Sequence, residues 1–305
     1  MKKLALILIF ILSFSFTLTA CVTENNGDEI STPDQTTVDV ETTTENITDG
    51  TTVIEGTTTE AEITTVDDSK KMTLRIGSYN IANGKVVSHV IKKLADDILA
   101  NDLDIVGFQE VDKFAKRSGY IDTMALLAQY TGYQYYSYTV AINIAGNESV
   151  YGQKGEYGTG ILSKYPILET KHTKLASGGN EQRMLGYAKI DVNGQIINFY
   201  NTHLSYEDTA IRTGQFQTIA NELSGKEFCL LTGDFNISSL SEYSAIPFLN
   251  TTCNSKNNLT TFPSSGKCID NILFSNEFTL VKSAIGAVGN SDHNLLYAEF
   301  TFPVE

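Results

Sequence analysis

The spacing of apolar residues divides the chain near residue 71. Beyond that point short apolar runs alternate with helical periodicities, and nearly every run ends on a polar residue. Leu74-Arg75-Ile76-Gly77-Ser78-Tyr79 alternates with the period of two of a half-buried strand and meets Asn80. Val86 to Ala100 places Val87, Val90, Ile91, Leu94, Ile98 and Leu99 at helical spacing, and Asp122 to Tyr130 reads the same way. Asp104-Ile105-Val106-Gly107-Phe108 has the form of a buried strand and delivers Gln109 and Glu110. Gly158 to Ser163 is a further strand, stopped by Pro166. The second half repeats the style. Ile196 to Tyr200 leads to Asn201, Thr202 and His203; Ile211 to Leu223 is helical through Ile211, Phe216, Ile219, Ala220 and Leu223. Phe228 to Leu231 leads to Gly233, Asp234 and Asn236, while Cys268 to Phe274 and Leu295 to Phe300 complete the set.

Before residue 71 the pattern is different. Met1-Lys2-Lys3 precedes an apolar run from Leu4 to Leu18, short of the ~20 residues a membrane-spanning helix needs. The run closes on Leu18-Thr19-Ala20-Cys21, which resembles a bacterial lipobox. Residues 1–20 are therefore expected to be a lipoprotein signal peptide, with Cys21 lipidated as the mature amino terminus. That expectation places the protein at the extracytoplasmic face of a bacterial membrane, attached through its lipid anchor only. Residues 21–70 are rich in Thr and acids without apolar periodicity, so they predict a disordered spacer of roughly 40 Å root-mean-square span.

Charge follows the same division. The 305 residues carry a net −14, but residues 22–70 hold thirteen acids against one base. With Lys2 and Lys3 counted, residues 71–305 carry only −4. A protein that grips nucleic acid by charge alone is excluded, because counterion release needs clustered Lys and Arg. Residues 71–305 predict one near-neutral globular domain, expected to be a monomer. Of the four cysteines, Cys229 lies in an apolar run as a buried thiol, and Cys253 and Cys268 flank a polar segment that a disulfide could close. No Cys or His spacing suggests structural zinc.

The placement of polar groups carries the chemistry. Glu110, His203, Asp234 and Asn236 each follow an apolar strand, and Asp292 and His293 immediately precede one. Strand ends at a sheet rim are where a rigid scaffold can hold ligands for an ion or substrate. Tyr79-Asn80-Ile81, Gln109-Glu110, Gly160-Ile161-Leu162-Ser163, Asn201-Thr202-His203-Leu204, Gly233-Asp234-Phe235-Asn236, Ile269-Asp270 and Ser291-Asp292-His293 stand in the order of motifs of the endonuclease/exonuclease/phosphatase superfamily, which the chain thus resembles over residues 72–303. The resemblance implies an α+β fold of deoxyribonuclease I type: a four-layer α/β/β/α sandwich of two facing mixed sheets flanked by helices.

It also implies roles. Glu110 matches the principal Mg2+ ligand, with Asn80 and Asp292 at or near the metal; Mn2+ or Ca2+ are other hard cations the site could take. Asp234 matches the residue orienting the attacking water, Asn236 a neighbour holding water or phosphate, and His293 a general base or phosphate contact whose tautomer Asp270 fixes. His203 matches a His that touches the scissile phosphate or protonates the leaving group. Arg183 is the one basic candidate for a place near the phosphate, the alternative being a surface Arg paired to Glu181; Tyr157 sits where some relatives hold a phosphate-facing Tyr.

Departures from the family narrow the substrate. Abasic-site endonuclease relatives carry Pro-Asn where this chain has Asn201-Thr202-His203-Leu204, and inositol polyphosphate phosphatases carry Trp-Cys-Asp-Arg at Cys268-Ile269-Asp270-Asn271. The Thr-His-Leu form is similar to deoxyribonuclease I-type and bacterial sphingomyelinase-type members. The expected activity is metal-dependent phosphodiester hydrolysis of nuclease type, with nucleic acid the favoured substrate and a phospholipid head group the alternative. A catalytically silent surface binding module is the reading from another class, disfavoured by the intact acid, amide and imidazole set.

Overall fold

A computed structural model of the chain describes residues 71–82, 88–148 and 152–304. The expected signal segment, Cys21 and the 21–70 spacer lie outside the described residues. In chain order the elements are β1 (Lys71–Asn80), α1 (Ser88–Ala100), β2 (Ile105–Lys113), α2 (Thr123–Thr131), β3 (Tyr135–Glu148), β4 (Lys154–Ser163), β5 (Ile167–Lys174) and β6 (Met184–Val192). They continue with β7 (Gln195–His203), α3 (Thr209–Leu223), β8 (Cys229–Asp234), β9 (Asn250–Thr251), β10 (Asp270–Phe274), β11 (Thr279–Ala287) and β12 (Leu295–Pro303).

The strands form two six-stranded sheets, β11-β12-β1-β2-β4-β3 and β5-β6-β7-β8-β10-β9. Each sheet is antiparallel except at one central pair: β1 runs parallel to β2, and β7 parallel to β8. Each parallel pair is connected through a helix, α1 in the first sheet and α3 in the second, as a parallel crossover requires.

Strand alternation assigns the layers. Leu74, Ile76, Ile105 and Ile161 of the first sheet pack against Ala188, Ile190, Ile197, Phe199 and Leu230 of the second. The next side chains along, Val106 and Phe108, face the other way and meet Ile91, Leu94, Ile98, Met124 and Leu127 of α1 and α2. In the second sheet Tyr200, Cys229 and Leu231 likewise turn outward onto Phe216, Ile219 and Leu223 of α3. The four-layer α/β/β/α sandwich follows directly, because strands buried on both faces need helices on the outside. Cys229 is the buried free thiol expected of its apolar run.

Polar side chains pin the two sheets together near the rim. Asn201 donates to the carbonyls of Phe108 and Gly160, both at 2.8 Å, and accepts from Gln109 Nε2 at 2.7 Å. The approach is close enough that a Cβ at Gly107 would collide with Thr232 Oγ1 and Asn201 Oδ1, so that position requires glycine.

Candidate active site

All the strand ends singled out from the sequence meet at one edge of the sandwich. The parallel pairs β1/β2 and β7/β8 both finish there, and the registers set Asn80 beside Gln109, His203 beside Asp234, and Asp270 beside Asp234. Glu110 reaches the site through a bulge: β2 breaks register with β4 between Phe108 and Val111, and Glu110 sits at φ 56°. Such a bulge re-aims one side chain without ending the strand.

Asn80 joins the two sheets at the centre. Its Nδ2 donates to Asp234 Oδ2 at 2.9 Å and to Glu110 Oε1 at 3.2 Å, while its Oδ1 accepts from the Ala82 N–H at 3.1 Å. Asn80 therefore turns its donor, not its oxygen, toward the carboxylates. Burial raises the Glu110 carboxyl; the Asn80 hydrogen bond opposes that, and the charge of Asp292 adds to it. The Asp292 loop is tied to β1 by Ser291 Oγ, which donates to the Asn80 carbonyl at 2.8 Å.

Asp234 is buried at the centre of the group. Burial, reinforced by Asp270, pushes its carboxyl up to about 7, against the opposing pull of His293, the Asn80 amide and the Asn236 N–H. That N–H donates to Asp234 Oδ1 at 3.0 Å. Both histidines turn Nε2 toward Asp234 Oδ2, His203 at 3.6 Å and His293 at 3.7 Å.

The two imidazoles are otherwise held by opposite partners. His293 Nδ1 lies 2.8 Å from Asp270 Oδ2. Burial works against its charged form, but Asp270, with Asp234 and Asp292, overcomes this and raises the ring to about 9. His203 Nδ1 instead faces Arg183 Nη1 at 3.0 Å, and burial first, then Arg183 and His293, hold its pKa well below the usual imidazole value. Arg183 itself is only 4% exposed and not a surface residue; it pairs with Glu181 at 2.7 Å, and its buried Nε has no hydrogen-bond partner. Tyr157 is buried beside Glu110 and Arg183, its hydroxyl pKa raised first by burial and then by Glu110.

A loop outside the expected set completes the wall. Cys253 and Cys268 form a disulfide, closing the segment that carries Thr261 and Phe262. Thr261 Oγ1 accepts the N–H groups of Ile269 and Asp270, both at 3.1 Å, and the Phe262 ring lies 4.6 Å from the His293 ring. No motif pointed to Phe262, because its contact depends on how the closed loop folds back.

Among the described residues, two places could hold a cation. Asp234, Asp270 and His293 bring ligand atoms within 4.8 Å of one another, but Asp270 and His293 are already bonded to each other there. Glu110 and Asp292 offer two carboxylates close enough to interact electrostatically, the oxygen donors a hard divalent cation takes. The second place fits the expected metal on donor chemistry.

Two six-stranded sheets with acids, amides and imidazoles gathered at one edge define the deoxyribonuclease I-like class of phosphoester hydrolases. The sequence agrees. Residues 77–293 match the Endonuclease/Exonuclease/phosphatase family, and the chain belongs to that family, typically dependent on a divalent metal. It is 27% identical over 183 residues to the uncharacterized protein YbhP of Escherichia coli (strain K12), covering 56% of this chain and 69% of that one. Its fold is similar to an endonuclease/exonuclease/phosphatase from Beutenbergia cavernae (TM-score 0.65, 20% identity, 76% of this chain and 72% of that one). It is also similar to D. rerio TDP2 complexed with a single-strand DNA product (TM-score 0.55, 17% identity, 75% and 98%).

Proposed function

We propose that the chain is a Mg2+-dependent phosphodiesterase of nuclease type, displayed outside the cytoplasm on a lipid carried by Cys21. The observation supporting an anionic substrate is a surplus of N–H donors in the site. Arg183 Nε is buried without an acceptor, and His203 lies between two donors, Arg183 Nη1 at 3.0 Å and Asn236 Nδ2 at 3.1 Å. Buried donors without acceptors are costly unless a ligand supplies the oxygens, and a phosphoryl group supplies several.

Glu110 and Asp292 are the residues that would hold the cation, with Asn80 steadying Glu110. When bound, the cation supplies Lewis-acid neutralisation of charge building on the phosphoryl oxygens. The protein's own residues do the rest. Asp234, with a carboxyl at about 7, is poised to accept the proton of the attacking water, and the Asn236 N–H keeps it oriented. His293, kept cationic by Asp270, has a proton at Nε2 to give to a phosphoryl or departing oxygen.

One observation keeps the phospholipid head-group reading open. Tyr206 and Val288, 69% and 66% exposed, stand on the loops that follow His203 and precede Asp292, and could meet a membrane surface. A single panel separates the two readings: the full chain with DNA, RNA, sphingomyelin and a chromogenic phosphodiester, each with Mg2+ or EDTA. Hydrolysis of nucleic acid that EDTA abolishes is the expected result. Activity confined to sphingomyelin, or unchanged by EDTA, would overturn the proposal.

A further inference from the structure

The active site holds two histidines at nearly equal distances from Asp234, yet their second nitrogens meet groups of opposite charge. A guanidinium has only donors, so a ring nitrogen facing Arg183 Nη1 at 3.0 Å must offer a lone pair. A neutral imidazole with its lone pair on Nδ1 carries its proton on Nε2. We infer that Arg183 is a positioning residue that locks His203 as the neutral Nε2–H tautomer, making His203 a fixed hydrogen-bond donor rather than a proton carrier.

Three features of the site support this. The guanidinium cannot readily turn away, since it is buried and the same Nη1 is also paired with Glu181 Oε1 at 2.7 Å. Backbone contacts fix its base: the Arg183 carbonyl accepts from the Leu175 N–H at 3.0 Å and from Gln182 Nε2 at 2.6 Å. Protonating Nδ1 would set an N–H against the guanidinium, so His203 cannot become an imidazolium while Arg183 stays in place. The Nε2–H that results points into the site, where Asp234 Oδ2 is a long 3.6 Å away and Asn236 Nδ2 is another donor. It therefore has no good acceptor within the protein. On the phosphoesterase reading the acceptor is a phosphoryl oxygen, and the inference rests on that reading for this point alone. His293, with its Nδ1–H on Asp270, is left as the one site imidazole that exchanges a proton.

The test needs no substrate. The full chain with 15N-labelled histidine is recorded in EDTA by long-range proton–nitrogen correlation, with His203→Gln identifying the His203 signals. His203 should show a pyridine-type Nδ1 and a pyrrole-type Nε2, unchanged on either side of the ordinary imidazole value of about 6.5. Arg183→Met removes the charge and the donors that face Nδ1, so the His203 signals should lose the fixed pyridine-type Nδ1 and pyrrole-type Nε2 pattern even while burial keeps the ring neutral; Arg183→Lys should restore the locked form. A pyrrole-type Nδ1 in the wild-type protein, a wild-type His203 that titrates around the ordinary imidazole value, or an Arg183→Met spectrum identical to wild type would overturn the inference. If Arg183→Met does not fold, the wild-type spectrum decides alone. If no phosphoester is cleaved, the function proposal fails while the tautomer result still stands.

Discussion

The two sheets present their ends to the same site and build opposite things there. Each contributes a parallel strand–helix–strand unit, β1-α1-β2 on one side and β7-α3-β8 on the other. The first unit ends in Asn80 and Glu110, joined by Asp292 from the loop before β12, and on the proposed function its two carboxylates would hold the cation. The second ends in His203 and Asp234, with Asn236, Asp270 and Arg183 around them, and on the proposed function it would handle protons and phosphoryl oxygens. Similar topology sets where a side chain emerges; local backbone and burial set what it does. A bulge at φ 56° turns Glu110 into a partly open position, whereas Asp234 stays in regular pairing and is buried, which makes it basic enough to take a proton near neutrality. His293 spans the division: its chain precedes β12 of the first sheet, but its imidazole is held by Asp270 of the second.

Substitutions should separate the two sides. Asp234→Asn is expected to have the largest effect, a fall in turnover of about 10²–10⁴, since it removes the base while leaving Glu110 and Asp292 in place. His293→Ala should follow, at about 10² or more. In both, the Mg2+-dependent rise in melting temperature should survive, because neither replaces a carboxylate assigned to the metal. Glu110→Gln should do the reverse: the melting shift shrinks, and excess Mg2+ recovers part of the activity. Thermal shift against Mg2+ concentration, alongside hydrolysis of a chromogenic phosphodiester, measures both. Loss of the melting shift in Asp234→Asn, or full activity of Glu110→Gln at limiting Mg2+, would show that the division is drawn in the wrong place.

The disulfide belongs to the second side and should matter next. Its cysteines are 15 residues apart, and closing a loop of that size is worth ~3 kcal/mol in the chain-entropy model. Cys253→Ser with Cys268→Ser should lower stability by about that amount. Turnover should drop as Phe262 loosens from His293. The Mg2+ shift should persist, since neither cysteine is assigned to the metal and the closed loop meets the site at Asp270 and His293. Denaturant unfolding with and without reductant is the measurement; an unchanged midpoint would contradict it.

Which parts of this were legible in sequence follows from how local each interaction is. β2, β7 and β8 announced themselves because apolar runs stop abruptly on Glu110, His203 and Asp234. The edge strands β5 and β11 did not, because solvent-facing Leu168 and Val281 blur any alternation. In β6, Leu185, Ala188, Ile190 and Val192 are buried, but Gly186 and Lys189 dilute the pattern. Arg183 could be named but not placed: it lies 20 residues from His203, and only the β6–β7 pairing, with Leu185 beside Thr202, brings them together. The direction of Asn80 was hidden for a similar reason, since its two acceptors, Glu110 and Asp234, come from different sheets.

The smallest expected effect is a pH dependence that isolates the Asp270–His293 contact across the division. The folded-state pKa of His293 lies at about 9, above its ordinary 6.5, so folding favours the protonated ring. The resulting stabilisation is complete below about 6.5 and is lost as pH rises through about 9. Asp234, raised to about 7, contributes with its own sign at lower pH: its burial costs stability as pH climbs from about 3.8 toward 7, and that cost is essentially complete by the upper window. Melting temperatures in EDTA should therefore decline between about pH 7 and pH 10 more steeply in the wild-type protein than in Asp270→Asn, which lacks the first among the groups raising His293. Lysine and tyrosine titrations near the top of the range are common to both proteins and cancel in the difference. Parallel melting curves would mean that Asp270 does not hold the imidazole as a cation, and His293 would lose its role as the residue linking the two sheets.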